Sequence, residues 1–159
     1  MNRDLIPPLA VSIRQEDPGR PDIVRMLRDG EAHSAALYPA ESNHHLPLED
    51  LRKPNVRFLV ARDAEGRAVA TGALVLCGDW AEIKRMWVED HARGRGVSRR
   101  ILETLIDEAR RAGIGVLRLE TGVVSHAALA LYERTGFVRR GPFAGYAEDP
   151  LSVFMERIW

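Results

Sequence analysis

The hydrophobic pattern of this chain changes its period abruptly in the middle of the sequence. The residues from Glu82 to Val88 follow a strand-like pattern, whereas the segment that begins at Val97 has apolar residues at helical spacing. Only a short turn separates the two. A strand that leads directly into an amphipathic helix is typical of an α/β domain, in which the helix packs back onto a sheet. The apolar stripe of the helix consists of Val97, Ile101, Leu102, Leu105, Ile106 and Ala109.

The turn between this strand and this helix has the composition of an anion-binding site. Its glycines let the backbone turn tightly and approach a ligand without Cβ collisions. The first N–H groups of a helix have no partners within the helix, and nearby arginines can add charge-assisted hydrogen bonds, so the segment could hold a pyrophosphate. The alternative is a solvated turn before a surface helix. The segment reads Arg93-Gly94-Arg95-Gly96-Val97-Ser98, and Arg99 and Arg100 follow it.

The remaining elements complete a mixed α/β pattern. Strands are predicted over residues 9–14, 56–62, 68–77, 82–88, 116–120, 137–140 and 153–158. Helices are predicted over residues 21–36 and 126–134, with a helical turn at 48–52 and a polar loop at 39–47. Hairpin strands come first and strand–helix alternation follows, which predicts a mixed sheet.

Composition restricts the class of protein. A length of 159 residues favours one domain over residues 1–159. There are 23 basic and 23 acidic residues, and aromatic residues make up 6%, which disfavours a dedicated nucleic-acid binder. No apolar run approaches the roughly 20 residues of a membrane span, and residues 1–8 do not resemble a signal peptide. We therefore expect a cytoplasmic protein without a membrane partner.

A metal site is not expected from the sequence. Cys77 is the only cysteine, which excludes an internal disulfide and a site built from several thiolates. His44 and His45 are neighbours, but no third ligand lies close to them in the chain. We therefore expect no metal cofactor.

Two segments resemble the signature motifs of one enzyme superfamily. Residues 93–98 resemble the acyl-CoA pyrophosphate loop of the GNAT superfamily of N-acetyltransferases, written Q/R-x-x-G-x-G/A. Residues 128–137, with the sequence ALALYERTGF, resemble its later A-x-x-L-Y-E-x-x-G-F signature. The resemblance runs from about Val56 to the C-terminus. Ser98 stands where glycine or alanine is usual, and Ser125 stands where many members have asparagine. The C-terminal segment, residues 141–155, resembles a bacterial subgroup of small single-domain proteins of this superfamily.

The resemblance implies a fold and a cofactor site. The fold would be a mixed, mostly antiparallel sheet of six to seven strands flanked by about four helices, with a homodimer as a family-level expectation. Acetyl-CoA would be the co-substrate, held by strand backbone at Met86, Trp87 and Val88. The other implied cofactor-binding residues are Arg93, Gly94, Arg95, Gly96, Val97, Ser98, Arg99, Ser125 and Ala128.

The resemblance also implies catalytic roles. Enzymes of this superfamily usually transfer the acetyl group by direct attack of an amine in a ternary complex. Tyr132 matches the tyrosine that protonates the thiolate of CoA, and a phenol can donate its proton because its free pKa is about 10. Glu82 occupies a position where several members have a catalytic base. The alternatives are a packed tyrosine and a solvated glutamate. Rival bases are Glu41, His44, His45, His91, Glu120 and His126.

The acceptor amine is the least constrained part of the function. The resemblance places residues 38–46 and 143–152 at the acceptor cleft. Glu41 would suit a cationic group and Arg85 a carboxylate, so an amino acid would satisfy both. Alternative functions are a non-catalytic acyl-CoA-binding regulator, a protein N-acetyltransferase, and nucleic-acid binding through residues 93–100. The candidate substrate-binding residues are Tyr38, Glu41, His44, Arg85 and Tyr146.

Overall fold

A seven-stranded sheet in the order β1-β2-β3-β4-β5-β7-β6 forms the centre of the protein, as seen in a computed structural model that describes residues 6–159. The prediction for residues 1–8 therefore lies mostly outside the described residues. The strands are β1 (Ser12–Gln15), β2 (Val56–Arg62), β3 (Ala68–Cys77), β4 (Trp80–Val88), β5 (Val116–Gly122), β6 (Val138–Arg140) and β7 (Ser152–Ile158). The helices are α1 (Pro21–Leu37), α2 (Leu48–Leu51), α3 (Val97–Arg111) and α4 (His126–Arg134).

Neighbouring strands are antiparallel with one exception, the pair β4 and β5. This parallel pairing extends only from Ala81 opposite Leu117 to Ile83 opposite Leu119. Beyond that level the two strands separate, so residues 84–88 of β4 have an edge that does not pair with β5. The mixed, mostly antiparallel sheet of seven strands with four helices confirms the predicted fold class.

A register shift accompanies this separation. The pairing of β3 with β4 is irregular between Thr71 and Ala73. Opposite this shift, Arg85 has a φ of 58°, in the left-handed region that a residue with a side chain rarely adopts. Such a bulge bends its strand. The bend lies at the level where β4 leaves β5 and opens a space in the sheet.

The helices cover both faces of the sheet. The apolar stripe of α3 is buried against one face, and α1 and α2 pack on the opposite face over the side chains of Phe58 and Val60. Gly72 lets α3 come close, because a Cβ there would lie 2.5 Å from Ile101. The predicted helical stripe is therefore confirmed as the core-facing side of α3.

Several predicted boundaries differ from the structure, three of them next to the candidate site residues. The first strand begins at Ser12 because the preceding residues contact the 93–96 turn instead, where the Leu9 N–H donates to the Arg95 carbonyl at 3.1 Å. β4 begins at Trp80, so Glu82 lies inside the strand and not at its start. The predicted loop 39–47 contains a short 3-10 turn, Ala40–Ser42. Among the helices of residues 6–159, none is long and apolar enough to cross a membrane.

Candidate active site

The turn before α3 presents a row of backbone donors. Gly94 and Gly96 have φ values of 72° and 79°, and Gly96 is the N-cap of α3 without a side-chain cap. Within residues 6–159, no protein acceptor lies on the N–H groups of residues 94–99. The helix dipole adds partial positive charge at this end. These groups therefore form a site for an anion such as a phosphate.

The arginines of this turn already have protein partners. Arg93 binds Asp90 at 2.8 Å and its guanidinium lies 4.8 Å from the centroid of the Trp87 ring. The side chain of Arg95 donates to the Pro7 carbonyl at 3.3 Å. Ion pairs of exposed side chains are worth about 0–1 kcal/mol, so a bound phosphate could redirect them. The backbone is the preformed part of the site, and the side chains are secondary. The remaining contacts are Arg93 Nε with the Val88 carbonyl at 3.1 Å, Arg99 with Glu103 at 3.0 Å and Arg100 with the Val11 carbonyl at 2.8 Å.

The start of α4 follows the end of β5, one of the two strands that separate. Ser125 is its N-cap, and the Ser125 hydroxyl hydrogen-bonds to the Tyr38 hydroxyl at 3.0 Å. Ala128 packs against the core of the α3 face. Two predicted cofactor-binding residues thus lie at a helix N-terminus close to a predicted substrate-binding residue.

Tyr132 is buried on α4, with 5% of its surface exposed. Its ring packs edge-on against Phe137, with the ring centroids 5.8 Å apart. Burial raises the pKa of Tyr132 above its usual value, and the negative charge of Glu120 raises it further. The phenol is therefore neutral at physiological pH and can donate a proton.

Glu82 lies within a cluster of polar groups on the α1 face of the sheet. Its Oε2 accepts a hydrogen bond from the Tyr146 hydroxyl at 2.5 Å and one from Lys84 Nζ at 3.2 Å. Lys84 Nζ also donates to the Tyr146 oxygen at 2.6 Å. Proton transfer to Oε2 would require displacement of one partner. Lys84 was not predicted, although its position two residues after Glu82 in a strand places both side chains on the same face.

Glu120 lies on β5, directly after the last residue that pairs with β4. Burial raises the pKa of Glu120. The negative charge of Glu82 also raises this pKa, while His44, Ser152 and Lys84 act in the opposite direction. A carboxyl group with a raised pKa suits a general base that works near neutral pH. The structure thus places two of the candidate bases on the two strands that separate.

The two predicted acceptor loops meet over this cluster. Ser42 donates to the Asp149 carboxylate at 2.6 Å, and the ring of His44 packs edge-on against Tyr146 with centroids 5.2 Å apart. Residues 38–46 and 143–152, both predicted to lie at the acceptor cleft, are therefore in contact with each other. The Ser42–Asp149 contact was not predicted, because a serine and an aspartate far apart in the chain carry no pattern that links them.

The other predicted acceptor-binding residues, Glu41 and Arg85, differ in exposure and in ion pairing. Glu41 is exposed and has no ion pair among the described residues. Arg85 is directed at α1, where its guanidinium binds Glu31 at 2.7 Å and donates to the Leu46 carbonyl at 3.0 Å. Only 7% of the Arg85 side chain is exposed, whereas its partner Glu31 is 45% exposed. No group of three or more potential metal ligands occurs in the part of the chain that the structure describes.

Comparison with known proteins agrees with this geometry. An IAA acetyltransferase from Azospirillum brasilense is 47% identical over 149 residues, which cover 92% of this chain and 97% of that protein. The structure of a Klebsiella pneumoniae protein assigned as an acyl-CoA N-acyltransferase has a TM-score of 0.79 and 34% identity, and covers 93% of this chain and 97% of that chain.

A more distant structure shares the fold. It is the PaiA N-acetyltransferase of Thermoplasma acidophilum in complex with coenzyme A, with a TM-score of 0.73 and 15% identity over 95% of this chain and 100% of that chain. The acetyltransferase (GNAT) family itself matches residues 22–137, which include both motifs. The chain therefore belongs to the GNAT family of acetyltransferases and is an acyltransferase enzyme.

Proposed function

We propose that this protein transfers the acetyl group of acetyl-CoA to the amine of a small molecule, such as an amino acid, by direct attack in a ternary complex. The observation that carries the proposal is the separation of β4 from β5. Free backbone N–H groups of residues 94–99 lie on the cofactor side of this opening. Two carboxylates, Glu82 and Glu120, lie on the opposite, α1 side.

The cofactor side has backbone donors for the pyrophosphate of CoA and an unpaired strand edge for its pantetheine arm. The N–H groups at the start of α3 would bind the pyrophosphate. Beyond Ile83, β4 pairs with β3 but not with β5, which leaves one edge of residues 84–88 without a strand partner. The Val88 carbonyl accepts a hydrogen bond from Arg93 Nε at 3.1 Å, which a ligand would have to displace or leave in place. A pantetheine arm carries amide groups, and it would complete the hydrogen bonds of this edge in the way that an added strand does.

The chemistry needs an acid and a base. The amine nitrogen would form a bond to the acetyl carbon, and the bond from that carbon to sulfur would break. Tyr132 would give its proton to the departing thiolate, because the phenol is neutral and lies on the helix that follows β5. The amine would lose its proton to a carboxylate. Glu82 is the base that the motif suggests, and Glu120 is a second candidate that the raised pKa favours.

The substitution Tyr132→Phe tests the proposal. Loss of the phenol proton removes general acid catalysis, so we expect kcat to fall by roughly 10²–10⁴-fold while acetyl-CoA binds as before. Titration calorimetry would measure the affinity for acetyl-CoA, and thiol release would measure turnover with amino acids, simple primary amines and IAA. IAA is included because it appears in the name of the Azospirillum relative.

Two outcomes separate the alternatives. Binding of acetyl-CoA without thiol release for any acceptor would favour a non-catalytic acyl-CoA-binding regulator. No binding of acetyl-CoA at millimolar concentration would contradict the proposal as a whole. A cytoplasmic location is an expectation from the sequence and a homodimer is one from the family, and sedimentation of the purified protein would measure its oligomeric state.

A further inference from the structure

Thr71 is a buried polar residue of β3 whose hydroxyl bonds to the backbone of β4. Only 1% of its surface is exposed, and its Oγ1 donates a hydrogen bond to the Arg85 carbonyl at 2.9 Å. A buried hydroxyl is costly unless it is hydrogen-bonded. Valine has nearly the same shape and would fill this place in the sheet without that cost. The bond to the Arg85 carbonyl is therefore what distinguishes Thr71 from an apolar strand residue.

The Arg85 carbonyl belongs to the bulge of β4. In the pairing of β3 with β4, Arg85 and Met86 lie opposite Gly72 alone, and the register gives neither of them a partner residue in β3. The φ of 58° at Arg85 is a strained conformation for a residue with a side chain. Such a conformation persists only where the surroundings hold it. The hydrogen bond from Thr71 supplies one of these restraints.

The two residues of the bulge direct their side chains to opposite faces of the sheet. The Arg85 guanidinium reaches Glu31 of α1 at 2.7 Å. The Met86 sulfur lies on the α3 face, because a Cβ on Gly72 would be 2.9 Å from this sulfur and 2.5 Å from Ile101 of α3. The peptide bond that joins the two residues therefore lies within the sheet, at the level where β4 has left β5.

The bond from Thr71 sets the direction of the Met86 N–H. This peptide bond is trans, so its N–H points away from its carbonyl. The carbonyl is taken by Thr71 on the β3 side of β4. The Met86 N–H is therefore directed away from β3, to the side on which β5 would continue the sheet. At this level that side is the opening between β4 and β5.

We propose that Thr71 is a positioning residue for acetyl transfer, which holds the peptide bond between Arg85 and Met86 so that the Met86 N–H donates to the oxygen of the acetyl group. When the amine attacks, the carbonyl carbon becomes tetrahedral and its oxygen gains negative charge. A backbone donor that is already fixed in place stabilises this charge without reorganisation. The inference rests on the proposed function, because it concerns the same transfer reaction.

The test compares wild type with Thr71→Val, which removes the hydroxyl and keeps the shape of the side chain. Loss of an oxyanion donor lowers kcat by roughly 10²–10³-fold, so we expect a misdirected donor to lower kcat for thiol release at least about tenfold. The affinity for CoA, measured by calorimetry, should not change. Thr71→Ser keeps the hydroxyl and should restore most of kcat. Urea denaturation checks that each variant is folded, and Thr71→Ala replaces Thr71→Val if valine is not tolerated.

Thr104→Val is the matched control. Thr104 also donates its hydroxyl to a backbone carbonyl, that of Arg100 at 2.8 Å, but this bond lies within α3. The chemical change is therefore the same, while the bulge of β4 is not affected. We expect Thr104→Val to keep the kcat of wild type.

An infrared measurement tests the role of Thr71 without an acceptor. A hydrogen bond to the acetyl oxygen lowers the stretching frequency of the thioester carbonyl, which is observed in bound acetyl-CoA labelled with carbon-13. We expect this frequency to be lower in wild type, Thr71→Ser and Thr104→Val than in Thr71→Val. A folded Thr71→Val with the kcat and the carbonyl band of wild type would overturn the role of Thr71. Acetyl-CoA binding without transfer to any amine would instead contradict the proposed function, and the carbonyl band would still decide the role of Thr71.

Discussion

Glu82 and Glu120 lie on the two strands that separate, and their surroundings differ at the level of single atoms. One oxygen of Glu82 accepts hydrogen bonds from both Tyr146 and Lys84. Glu120 is partly buried and has no ion pair among the described residues, and this burial raises its pKa. A base must be ionised to accept the proton of the amine, so activity should follow the ionisation of the residue that performs this role.

The pH dependence identifies that residue. If Glu120 is the base, log kcat/KM rises with pH through an apparent pKa above the usual glutamate value of about 4.3, because burial raises the folded-state pKa. We expect Glu120→Gln to remove this rise, the acid limb of the pH profile, and to lower kcat/KM by roughly 10²–10⁴-fold. A pH profile of thiol release measures both effects.

Glu82→Gln is the matched variant for this test. It keeps the shape of the side chain and changes the charge on the opposite strand. We expect the limb to persist and to shift to lower pH, because the charge of Glu82 contributes to the raised pKa of Glu120. The reverse result, in which Glu82→Gln removes the limb and Glu120→Gln preserves it, would assign the base to Glu82.

At the scale of elements, the turn into α3 depends on two glycine conformations. A residue with a side chain pays about 1–2 kcal/mol to adopt the left-handed φ of Gly96. The space around its missing Cβ is empty, so the cost of Gly96→Ala comes from the backbone alone. Relief of this strain by rotation would turn the N–H groups away from the anion. We expect acetyl-CoA affinity to fall at least about tenfold, measured by calorimetry.

Gly66→Ala is the control for that prediction. Gly66 lies in the turn between β2 and β3, has a φ of 80°, and also has open space around its missing Cβ. Both variants should lose about 1–2 kcal/mol in the free energy of unfolding, measured by urea denaturation. Only Gly96→Ala should lose affinity. An equal loss of affinity in both variants would mean that global stability and not the phosphate site is affected.

The elements also show what sequence patterns can predict. The stripe from Val97 to Ala109 predicted α3 because a buried face imposes helical spacing over several turns, and the structure confirms it. The bulge at Arg85 was not predicted, since a register shift depends on the partner strand and on the packing of Gly72 against α3. The Lys84–Tyr146 contact also depends on a loop whose path carries no periodic signal. The contact of Ser42 with Asp149 was missed for the same reason.

At the scale of the whole molecule, the cofactor site joins parts that are far apart in sequence. The N-terminal segment contacts the α3 turn through Leu9, whose N–H donates to the Arg95 carbonyl. In a trans peptide the carbonyl and the following N–H point in opposite directions. The bond from Leu9 therefore orients the Gly96 N–H, one of the donors without a protein acceptor. Binding of acetyl-CoA should consequently stabilise the fold through this segment as well as through α3.

Thermal unfolding tests this coupling. At an acetyl-CoA concentration of about 100 times Kd, the ligand adds about 2.7 kcal/mol to the free energy of unfolding. For a chain of this length each kcal/mol corresponds to roughly 2–4 °C, so we expect Tm to rise by about 5–11 °C. Leu9→Pro removes the N–H and should reduce this ligand-induced shift by at least about 2 °C. Leu9→Ala keeps the N–H but truncates the side chain, so its shift should equal that of wild type. The quantity compared is the change in Tm between the acetyl-CoA-bound and the free protein. Any stability that a variant loses through altered packing affects both forms and therefore cancels. Equal shifts in Leu9→Pro and Leu9→Ala would show that the N-terminal segment does not support the phosphate site.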